Sequence, residues 1–368
     1  MKKIGILYLG RRGAAPVDTL EITSELIKEN TVYLFLSKRI ENLDKFFDLQ
    51  KSNSNLKINV MDTYSSKIGF MFKSLNLFRF LNSAHRIQKI QLDYLYIPMI
   101  TYWAALIVAF LKEQKIVTAI HDPVMHTGEK DFLFEKLTYL TVKKSSKLVV
   151  FSEKFKKTVS ELYNFPYEKI CSLKLGGYSY YESKAKNNII ENENNRILFF
   201  GRISKYKGLE ILLEAFKKVL IFKPDLKLKI VGNGSFSDRE EKLIYELQNH
   251  LEVVNRWIKD DEVESFFLDV DFIVLPYLEA TQSGVIMLSY AMGKAVVCTN
   301  VGALDEQILD TTGVLVSPNN SEDLCKGILD MYNNREYIQK GKNAFYFATK
   351  EWTWQNQVKK LMQFLQEN

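Results

Sequence analysis

The stretch that decides the fold is Ile197–Phe216, ILFFGRISKYKGLEILLEAF, near the middle of a chain of 368 residues. Its first residues are a short apolar run typical of a buried strand, and that run ends at Gly201-Arg202. Lys207-Gly208 follow, and an amphipathic segment typical of a helix starts at Leu209. A strand that passes through a glycine-containing turn into a helix is the unit from which parallel α/β sheets are built.

The same alternation of short apolar runs and helix-length segments covers the rest of the chain. In the first half it predicts strands at Ile4–Leu9, Thr31–Leu36, Lys57–Val60, Tyr94–Pro98, Ile116–His121, Leu148–Phe151 and Ile170–Leu173. In the second half it predicts strands at Arg196–Phe200, Leu226–Val231, Val253–Val254, Phe272–Pro276, Ala295–Cys298 and Val314–Val316. Apolar strands separated by helices indicate parallel sheets covered on both faces, so two such series predict two doubly wound α/β domains.

The domain boundaries follow from composition. Residues 184–195, KAKNNIIENENN, are polar and lack periodicity, which is typical of an exposed linker. We therefore predict one domain over residues 1–183 and a second over 196–350. The final residues, 351–368, contain an amphipathic helix with no strand after it, and we expect this helix to pack on a domain already formed.

Composition excludes several classes of protein. Apolar residues make up 46% and charged residues 26% of the chain, as in ordinary globular proteins, so a disordered, collagenous or coiled-coil chain is excluded. Three scattered cysteines are too few for a disulfide framework or a zinc site. We find no targeting segment, and the longest apolar run, Tyr102–Leu111, is about half of what a bilayer requires, so we expect a cytoplasmic protein.

Two clusters predict an anion-binding site in the second domain. Arg202 and Lys207 follow a predicted strand, and ligands of such sheets bind at the carboxyl ends of the strands. Ser283-Gly284-Val285 open an apolar helix after another strand, where small residues let an anion approach the free N–H groups. The alternatives are two solvated cations on a turn and an ordinary helix cap at Ser283.

On these residues the chain resembles the family 4 group of glycosyltransferases, which have the GT-B fold. The family element G-R-x-x-x-x-K-G stands here as Gly201-Arg202 and Lys207-Gly208. Leu228–Gly234, which contains Gly232, looks like the family's strand and glycine turn near the nucleoside. Trp257–Val263 resembles the segment that follows the base-contacting loop. The resemblance implies two Rossmann-like domains facing a cleft, with the C-terminal helix crossing back to the first domain.

The chain departs from the family at one point. Two glutamates usually stand eight positions apart around this helix start, where they meet the donor sugar and the ribose, but Ala280 and Leu288 occupy those places here. Glu279 lies one residue away, and Q-S-G-V, residues 282–285 with Gln282 first, matches a branch of the family. The resemblance thus implies donor binding by Glu279, Gln282, Ser283, Gly284 and Val285 together with Gly201 and Gly232.

In the first domain the resemblance points to His121 and Gly13. In the family, a histidine after the strand that ends near Ile120 faces the donor sugar. The resemblance therefore makes His121 a catalytic candidate, in addition to Arg202 and Lys207. The alternative for His121 is a structural histidine bonded to a carbonyl. Gly13 closes a GRRG turn that resembles the family's first glycine loop but lacks the spacing of a dinucleotide site.

We expect no cofactor and no metal. Asp269-Val270-Asp271 spells the D-x-D of metal-dependent transferases, but it precedes a strand instead of following one, and a metal site needs more oxygen ligands than these two side chains. The resemblance likewise implies a metal-independent reaction in which Arg202 and Lys207 neutralise the leaving diphosphate.

A basic, acid-free stretch is the distinctive feature of the first domain. Residues 1–183 carry a net charge of +9, and residues 63–92 contain five Lys or Arg, many apolar side chains and no Asp or Glu. Such a segment fits peripheral contact with an anionic leaflet on the inner membrane face. The alternative is a surface helix whose apolar stripe faces the core. No RNA-binding motif accompanies the patch, so we do not expect nucleic acid as a partner.

Taken together, these features and the resemblance predict a glycosyltransferase of the hexosyltransferase type, and the resemblance implies that it retains the anomeric configuration. It would move a sugar from a nucleotide-sugar donor to an acceptor hydroxyl, with a lipid-linked glycan as acceptor. The expected setting is the assembly of bacterial surface polysaccharide, that is O-antigen, capsule or exopolysaccharide. Two alternatives are a catalytically inactive nucleotide-sugar-binding accessory protein and a nucleotide-sugar epimerase, both of the same fold.

Overall fold

The computed structural model of the protein describes residues 1–123, 131–179 and 194–367. Within these ranges the chain divides into two compact units. The first contains the residues up to Lys174 and those from Trp354 onward, and the second runs from Leu175 to Thr353. Apart from Asn194 and Asn195, the predicted linker 184–195 lies outside the described residues.

The first unit is built on a parallel sheet of seven strands. These strands are β1 Lys3–Tyr8, β2 Thr31–Ser37, β3 Leu56–Met61, β4 Tyr94–Ile97, β5 Ile116–Ile120, β6 Lys147–Val150 and β7 Ile170–Ser172. The helices between them are α1 Ala14–Leu26, α2 Leu43–Ser52, α3 Lys67–Ser74, α4 Leu77–Ile90, α5 Tyr102–Phe110, α6 Phe132–Lys144 and α7 Lys154–Tyr163. The strand order is β3-β2-β1-β4-β5-β6-β7.

The second unit contains a parallel sheet of six strands. They are β8 Arg196–Phe200, β9 Lys227–Gly232, β10 Leu251–Asn255, β11 Phe272–Leu275, β12 Val296–Thr299 and β13 Gly313–Val316. Its helices are α8 Leu209–Phe222, α9 Asp238–Glu246, α10 Asp260–Leu268, α11 Gly284–Ala291, α12 Ser321–Tyr332 and α13 Glu336–Tyr346. The strand order is β10-β9-β8-β11-β12-β13, and every residue of β11 and β12 is buried, as the continuous apolar runs predict.

Both sheets are doubly wound, so each has a point where the strand order reverses. In the first sheet the reversal lies between β1 and β4, and in the second between β8 and β11. At such a point the loops after the two strands turn to opposite faces and leave a crevice in which ligands bind. The loops that follow β8 and β11 carry the two predicted anion-binding clusters.

The last helix, α14 Trp354–Gln366, belongs to the first unit and packs against α1. Its inner face includes the buried residues Val358 and Leu361. The Lys147 ammonium donates a hydrogen bond of 2.6 Å to the carbonyl of Glu367, just past its end. The chain therefore returns to its first unit after completing the second, as the predicted fold class requires.

All thirteen strands predicted from the sequence are present in the described ranges, and their boundaries agree to within two residues. The first helix begins at Ala14, directly after Gly13. Gly13 takes a backbone φ of +93°, which only glycine adopts readily, and Pro16 is tolerated within a first helical turn. Within the described ranges no helix is long and apolar enough to cross a membrane.

Candidate functional site

The turn after β8 is held against the turn after β9. The Ile203 amide donates to the Asn233 carbonyl at 3.0 Å. Asn255 holds Gly234 through two hydrogen bonds. Its Oδ1 accepts from the Gly234 amide, and its Nδ2 donates to the Gly234 carbonyl. These contacts fix the loop that carries Arg202, whose side chain is exposed.

Three residues predicted for the site meet at this point. A Cβ on Gly232 would lie 1.7 Å from the carbonyl oxygen of Gly201, so only glycine permits the approach of the two backbones. Gly201 has a φ of +137°, and the nearest atom to a Cβ placed there would be Cγ2 of Val285, at 3.9 Å. The turn after β8 therefore faces the first turn of α11, and the two sequence clusters form one site.

Lys207 is positioned by an aromatic ring. Its ammonium lies 3.6 Å from the centroid of the Tyr277 ring, over its face. Tyr277 is buried, and burial raises the pKa of its hydroxyl, which keeps the ring a neutral phenol. A cation held over an aromatic face is constrained to a small region without losing its charge. Lys207 thus offers a pre-placed positive charge at the carboxyl edge of the sheet.

The loops after β8 and β11 are in close backbone contact. Gly208 has a φ of +67°, and a Cβ there would lie 1.9 Å from the Pro276 carbonyl oxygen. The Leu278 amide donates to the Tyr206 carbonyl at 2.8 Å. The predicted Lys207-Gly208 pair therefore has two roles, because the lysine supplies charge and the glycine lets the loops meet.

The N-terminus of α11 is fixed by a glutamine that the sequence interpretation missed. Gln307 Oε1 accepts from the buried Ser283 amide at 2.8 Å, and Gln307 Nε2 donates to the Ser283 carbonyl at 3.3 Å. The Ser283 hydroxyl lies 3.4 Å from the Tyr277 hydroxyl and makes no cap bond to the helix. Gly284 and Val285 are the first residues of the helix, where amide N–H groups lack acceptors within the helix.

The remaining predicted residues of this loop lie half-buried beside α11. Glu279 and Gln282 are both partly exposed, and the Glu279 amide contacts the Tyr206 carbonyl at 3.4 Å. Gly302 supports the loop from β12, because its φ is +59° and a Cβ there would lie 1.7 Å from the Ala280 carbonyl oxygen. The sequence analysis singled out neither Gly302 nor Gln307, although a glycine four residues after the predicted strand Ala295–Cys298 could have marked Gly302.

Leu288, which stands where the family has its second glutamate, is buried on α11. A carboxylate at this position would be desolvated unless the surrounding side chains moved, so leucine suits the local packing. This position therefore lacks the acidic side chain that meets the ribose in the family.

His121 follows β5 in the first unit. Its Nε2 lies 2.7 Å from the Pro98 carbonyl oxygen, and because a carbonyl only accepts, Nε2 carries the proton. Burial lowers the pKa of His121, opposed by the hydrogen bond to Pro98, so burial favours the neutral ring. The structural alternative, a histidine bonded to a carbonyl, is thus present, and in this tautomer Nδ1 is an acceptor.

Gly13 lies at the carboxyl edge of the first sheet, directly before α1. A Cβ at this position would have no atom within 4 Å, so space for a ligand or another group exists next to its backbone. The two arginines before it are engaged locally. Arg11 donates to the Tyr64 carbonyl at 3.0 Å and stacks on the Tyr64 ring, and Arg12 lies 3.8 Å from the Glu41 carboxylate.

The two aspartates of the D-x-D sequence hold the opposite edge of the second sheet. Asp269 accepts from the Lys229 ammonium at 2.8 Å and pairs with Arg196. Asp271 accepts from the Arg196 amide at 3.1 Å and from the Tyr332 hydroxyl at 2.9 Å. These carboxylates fasten the start of β8, at the amino ends of the strands and away from the switch-point crevice.

The crevice of the second unit therefore combines Lys207, which lies over the Tyr277 ring, the exposed Arg202, and the N-terminus of α11, which begins at Gly284. Cations and helix N–H groups together bind phosphate oxygens well, because the N–H groups point at the anion and the helix dipole favours negative charge. The arrangement is chemically suited to a phosphate or diphosphate group.

Comparison with known proteins agrees with this geometry. Residues 194–334 match the family model described as Glycosyl transferases group 1. The chain is 29% identical over 171 residues to the lipopolysaccharide 1,2-N-acetylglucosaminetransferase of Salmonella typhimurium, which covers 44% of this chain and 45% of that protein. It is also 27% identical over 350 residues to an uncharacterized glycosyltransferase of Haemophilus influenzae, covering 92% of this chain and 93% of that protein.

The extent of these matches varies. The chain spans 60%, 47% and 45% of the length of three curated relatives that it matches. Among solved structures, the HepE protein of Anabaena in complex with UDP and glucose superposes with a TM-score of 0.73 over 100% of both chains, at 16% sequence identity. The second unit therefore matches the group 1 domain of glycosyltransferases, and the chain as a whole has the GT-B fold.

Proposed function

We propose that this protein transfers a sugar from a nucleotide-sugar donor to an acceptor hydroxyl. The observation that carries the proposal is the meeting of Gly201, Gly232 and Val285 at the switch point of the second sheet, beside Lys207. The diphosphate of the donor binds at the N-terminus of α11, and Arg202 and Lys207 neutralise the charge that grows on it as the glycosidic bond breaks. Such stabilisation favours the transition state over the bound donor.

Several finer points of the proposal rest on similarity and on the residues. The Anabaena HepE protein is described in complex with UDP and glucose, which supports a nucleotide sugar as donor. The Salmonella relative is named for lipopolysaccharide, which supports surface polysaccharide as the setting and a lipid-linked glycan as acceptor. We further propose retention of the anomeric configuration, hexosyl transfer without a metal, and a sugar-hydroxyl contact for His121.

The experiment that tests the proposal is a donor panel. The purified chain is incubated with UDP-, GDP- and dTDP-hexoses and a polyprenyl-phosphate-linked acceptor, and both donor loss and glycosylated product are measured. We expect one donor to be consumed with product formed, and NMR of the product to show the anomeric configuration of the donor. An inverted product overturns retention alone.

The panel also separates the alternatives. Binding of a nucleotide sugar without loss of any donor identifies an accessory protein. The reason to consider one is that Ala280 and Leu288 stand where the family has its glutamate pair. Free epimerised sugar nucleotide without acceptor product identifies an epimerase. Either outcome overturns the transfer reaction while leaving the diphosphate site in place.

A further inference from the structure

Helix α3 presents its apolar stripe to solvent. The stripe consists of Ile68, Met71, Phe72 and Leu75, at the i, i+3, i+4, i+7 spacing by which a helix usually faces a core. These four side chains are between 68% and 78% exposed. The sequence left two alternatives for this segment, a core-facing stripe and a surface that meets a partner, and for α3 the stripe points outward.

Two further helices extend the same apolar character. At the start of α4, Leu77 and Phe78 are 55% and 75% exposed, although Phe80 on the same helix is buried. At the start of α6, Phe132 and Leu133 are 75% and 54% exposed. A single exposed apolar side chain is ordinary in a folded protein, but a group of eight on neighbouring helices marks an interaction surface.

A layer of aromatic rings beneath this surface joins the three helices. The Tyr102 ring of α5 lies 5.2 Å from the Phe70 ring of α3 and 5.2 Å from the Phe134 ring of α6, between centroids. The neighbouring Trp103 donates from Nε1 to Ser74 at 2.9 Å and contacts the Phe80 ring of α4 at 5.3 Å. The exposed faces therefore form one surface on a common support.

The part of the surface formed by α3 and α4 carries positive charge, whereas the start of α6 also carries Asp131 and Glu135. Residues 63–92 contain no acidic side chain, and a cavity of about 300 Å³ between α4 and β3 is lined by Arg79 and Arg86. Asp62, the carboxylate that also lines the cavity, is engaged by the Lys73 ammonium at 2.7 Å. Among the residues that the structure describes, neither Arg79 nor Arg86 forms an ion pair with a carboxylate, so both can face an anion.

We propose that the outer faces of α3, α4 and α6 dock on an anionic lipid leaflet, with a lipid phosphate in the cavity lined by Arg79 and Arg86. The apolar stripe enters the acyl boundary, and the cations at its side meet the headgroups, which is the arrangement of an interfacial helix. The biological purpose of this docking rests on the proposed function, because a lipid-linked acceptor is presented at that leaflet. The docking itself does not depend on it.

Flotation with vesicles tests the surface without any donor or acceptor, so its failure is distinguishable from failure of the transfer reaction. The full chain is mixed with vesicles of phosphatidylcholine alone or with phosphatidylglycerol added. We expect binding only to the acidic vesicles. Phe72→Ser with Phe78→Ser removes two of the apolar side chains that insert into the leaflet. Arg86→Glu with Lys89→Glu reverses two surface charges. Because one cation near a leaflet changes affinity roughly fivefold, the second pair should weaken binding at least about 25-fold.

Matched controls are taken from helices that do not contribute to the surface. Phe222→Ser replaces an equally exposed phenylalanine of the second unit, and Lys359→Glu reverses an exposed charge on α14. Both should bind acidic vesicles like the unmodified chain. Absence of binding to acidic vesicles, or equal losses in the controls, overturns the proposal. It is also overturned if light scattering shows a dimer that Phe72→Ser dissociates, since the surface would then join two copies of the chain.

Discussion

Gln307 holds the backbone of Ser283 at both its amide and its carbonyl. The two bonds measure 2.8 Å and 3.3 Å, and both residues are buried. Ser283 immediately precedes the helix whose first N–H groups form the proposed diphosphate site. A side chain outside the site therefore fixes the direction in which those N–H groups point, and preorganised donors are what such a site requires.

Replacing Gln307 should affect both stability and nucleotide binding. In Gln307→Leu the buried Ser283 amide loses its acceptor, which costs about 1–3 kcal/mol of unfolding free energy. Because the start of α11 is then less constrained, we expect weaker binding of the nucleoside diphosphate product. Urea unfolding and titration calorimetry measure the two effects, with Gln339→Leu on the exposed face of α13 as control. A Gln307 variant that matches this control in both measurements would contradict the positioning role.

Removing the two cations should lower the transfer rate far more than the stability. We expect Arg202→Ala and Lys207→Ala each to lose roughly 2–4 kcal/mol of transition-state stabilisation, or roughly 30- to 1000-fold in kcat/KM. Lys205→Ala is the matched control, since Lys205 is an exposed lysine on the same turn. Rates within a few fold of the control for both variants would remove these residues from the site.

Metal removal should leave the reaction intact. The proposed clamp uses cations and N–H groups of the protein, and Asp269 and Asp271 hold the start of β8. We expect full activity after dialysis against excess chelator. Asp269→Asn should lower the unfolding temperature, because the buried Lys229 loses the nearer of its two carboxylate partners and keeps only Glu252, at 3.6 Å. A strict requirement for added Mg²⁺ or Mn²⁺ would show that the reaction depends on a metal after all.

The strands and the charged residues were predictable because their signals are local. A buried parallel strand is a run of apolar residues, and the runs at Arg196–Phe200 and Phe272–Pro276 needed no knowledge of the partner strands. The family pattern then placed Arg202, Lys207 and the Ser283 turn. Their meeting in space follows from strand order, since β8 and β11 are neighbours at the switch point.

The supporting contacts were not predictable, because they join residues distant in sequence. Gln307 is twenty-four positions from Ser283, and in the sequence it looks like any polar loop residue. The exposure of Phe72 was equally hidden, because the same spacing describes a core-facing helix and a membrane-facing one. Only the packed structure shows which face of α3 the aromatic layer covers.

Gly13 and Gly208 allow the effect of backbone strain on stability to be separated from the effect of close packing. Both have positive φ, but a Cβ on Gly208 would meet the Pro276 carbonyl at 1.9 Å, whereas one on Gly13 would meet nothing within 4 Å. We expect Gly13→Ala to cost about 1–3 kcal/mol for backbone strain alone. Gly208→Ala should cost more, because the loops after β8 and β11 must also move apart. Equal losses in urea unfolding would mean that the loops yield freely at Gly208.

Lys294 provides a test of electrostatics inside the second unit. Its ammonium is buried and donates to the Val270 carbonyl at 2.7 Å. Burial lowers the pKa of Lys294 from its ordinary 10.5 to about 8, against the attraction of Asp271 and Asp269. Below pH 8 the folded and unfolded chains both hold the proton, so the penalty for burying the charge is fully present there.

Between pH 8 and 10.5 the unfolded chain still binds this proton but the folded chain releases it, so the penalty is relieved and stability rises with pH. Lys294→Met lacks this titration. Compared with the unmodified chain, it should lose roughly 2–3 kcal/mol of relative stability between pH 7 and pH 10. Urea unfolding of both proteins at the two pH values measures the difference, and Lys359→Met serves as the exposed control. A difference that does not change with pH would show that Lys294 keeps an ordinary pKa in the folded protein.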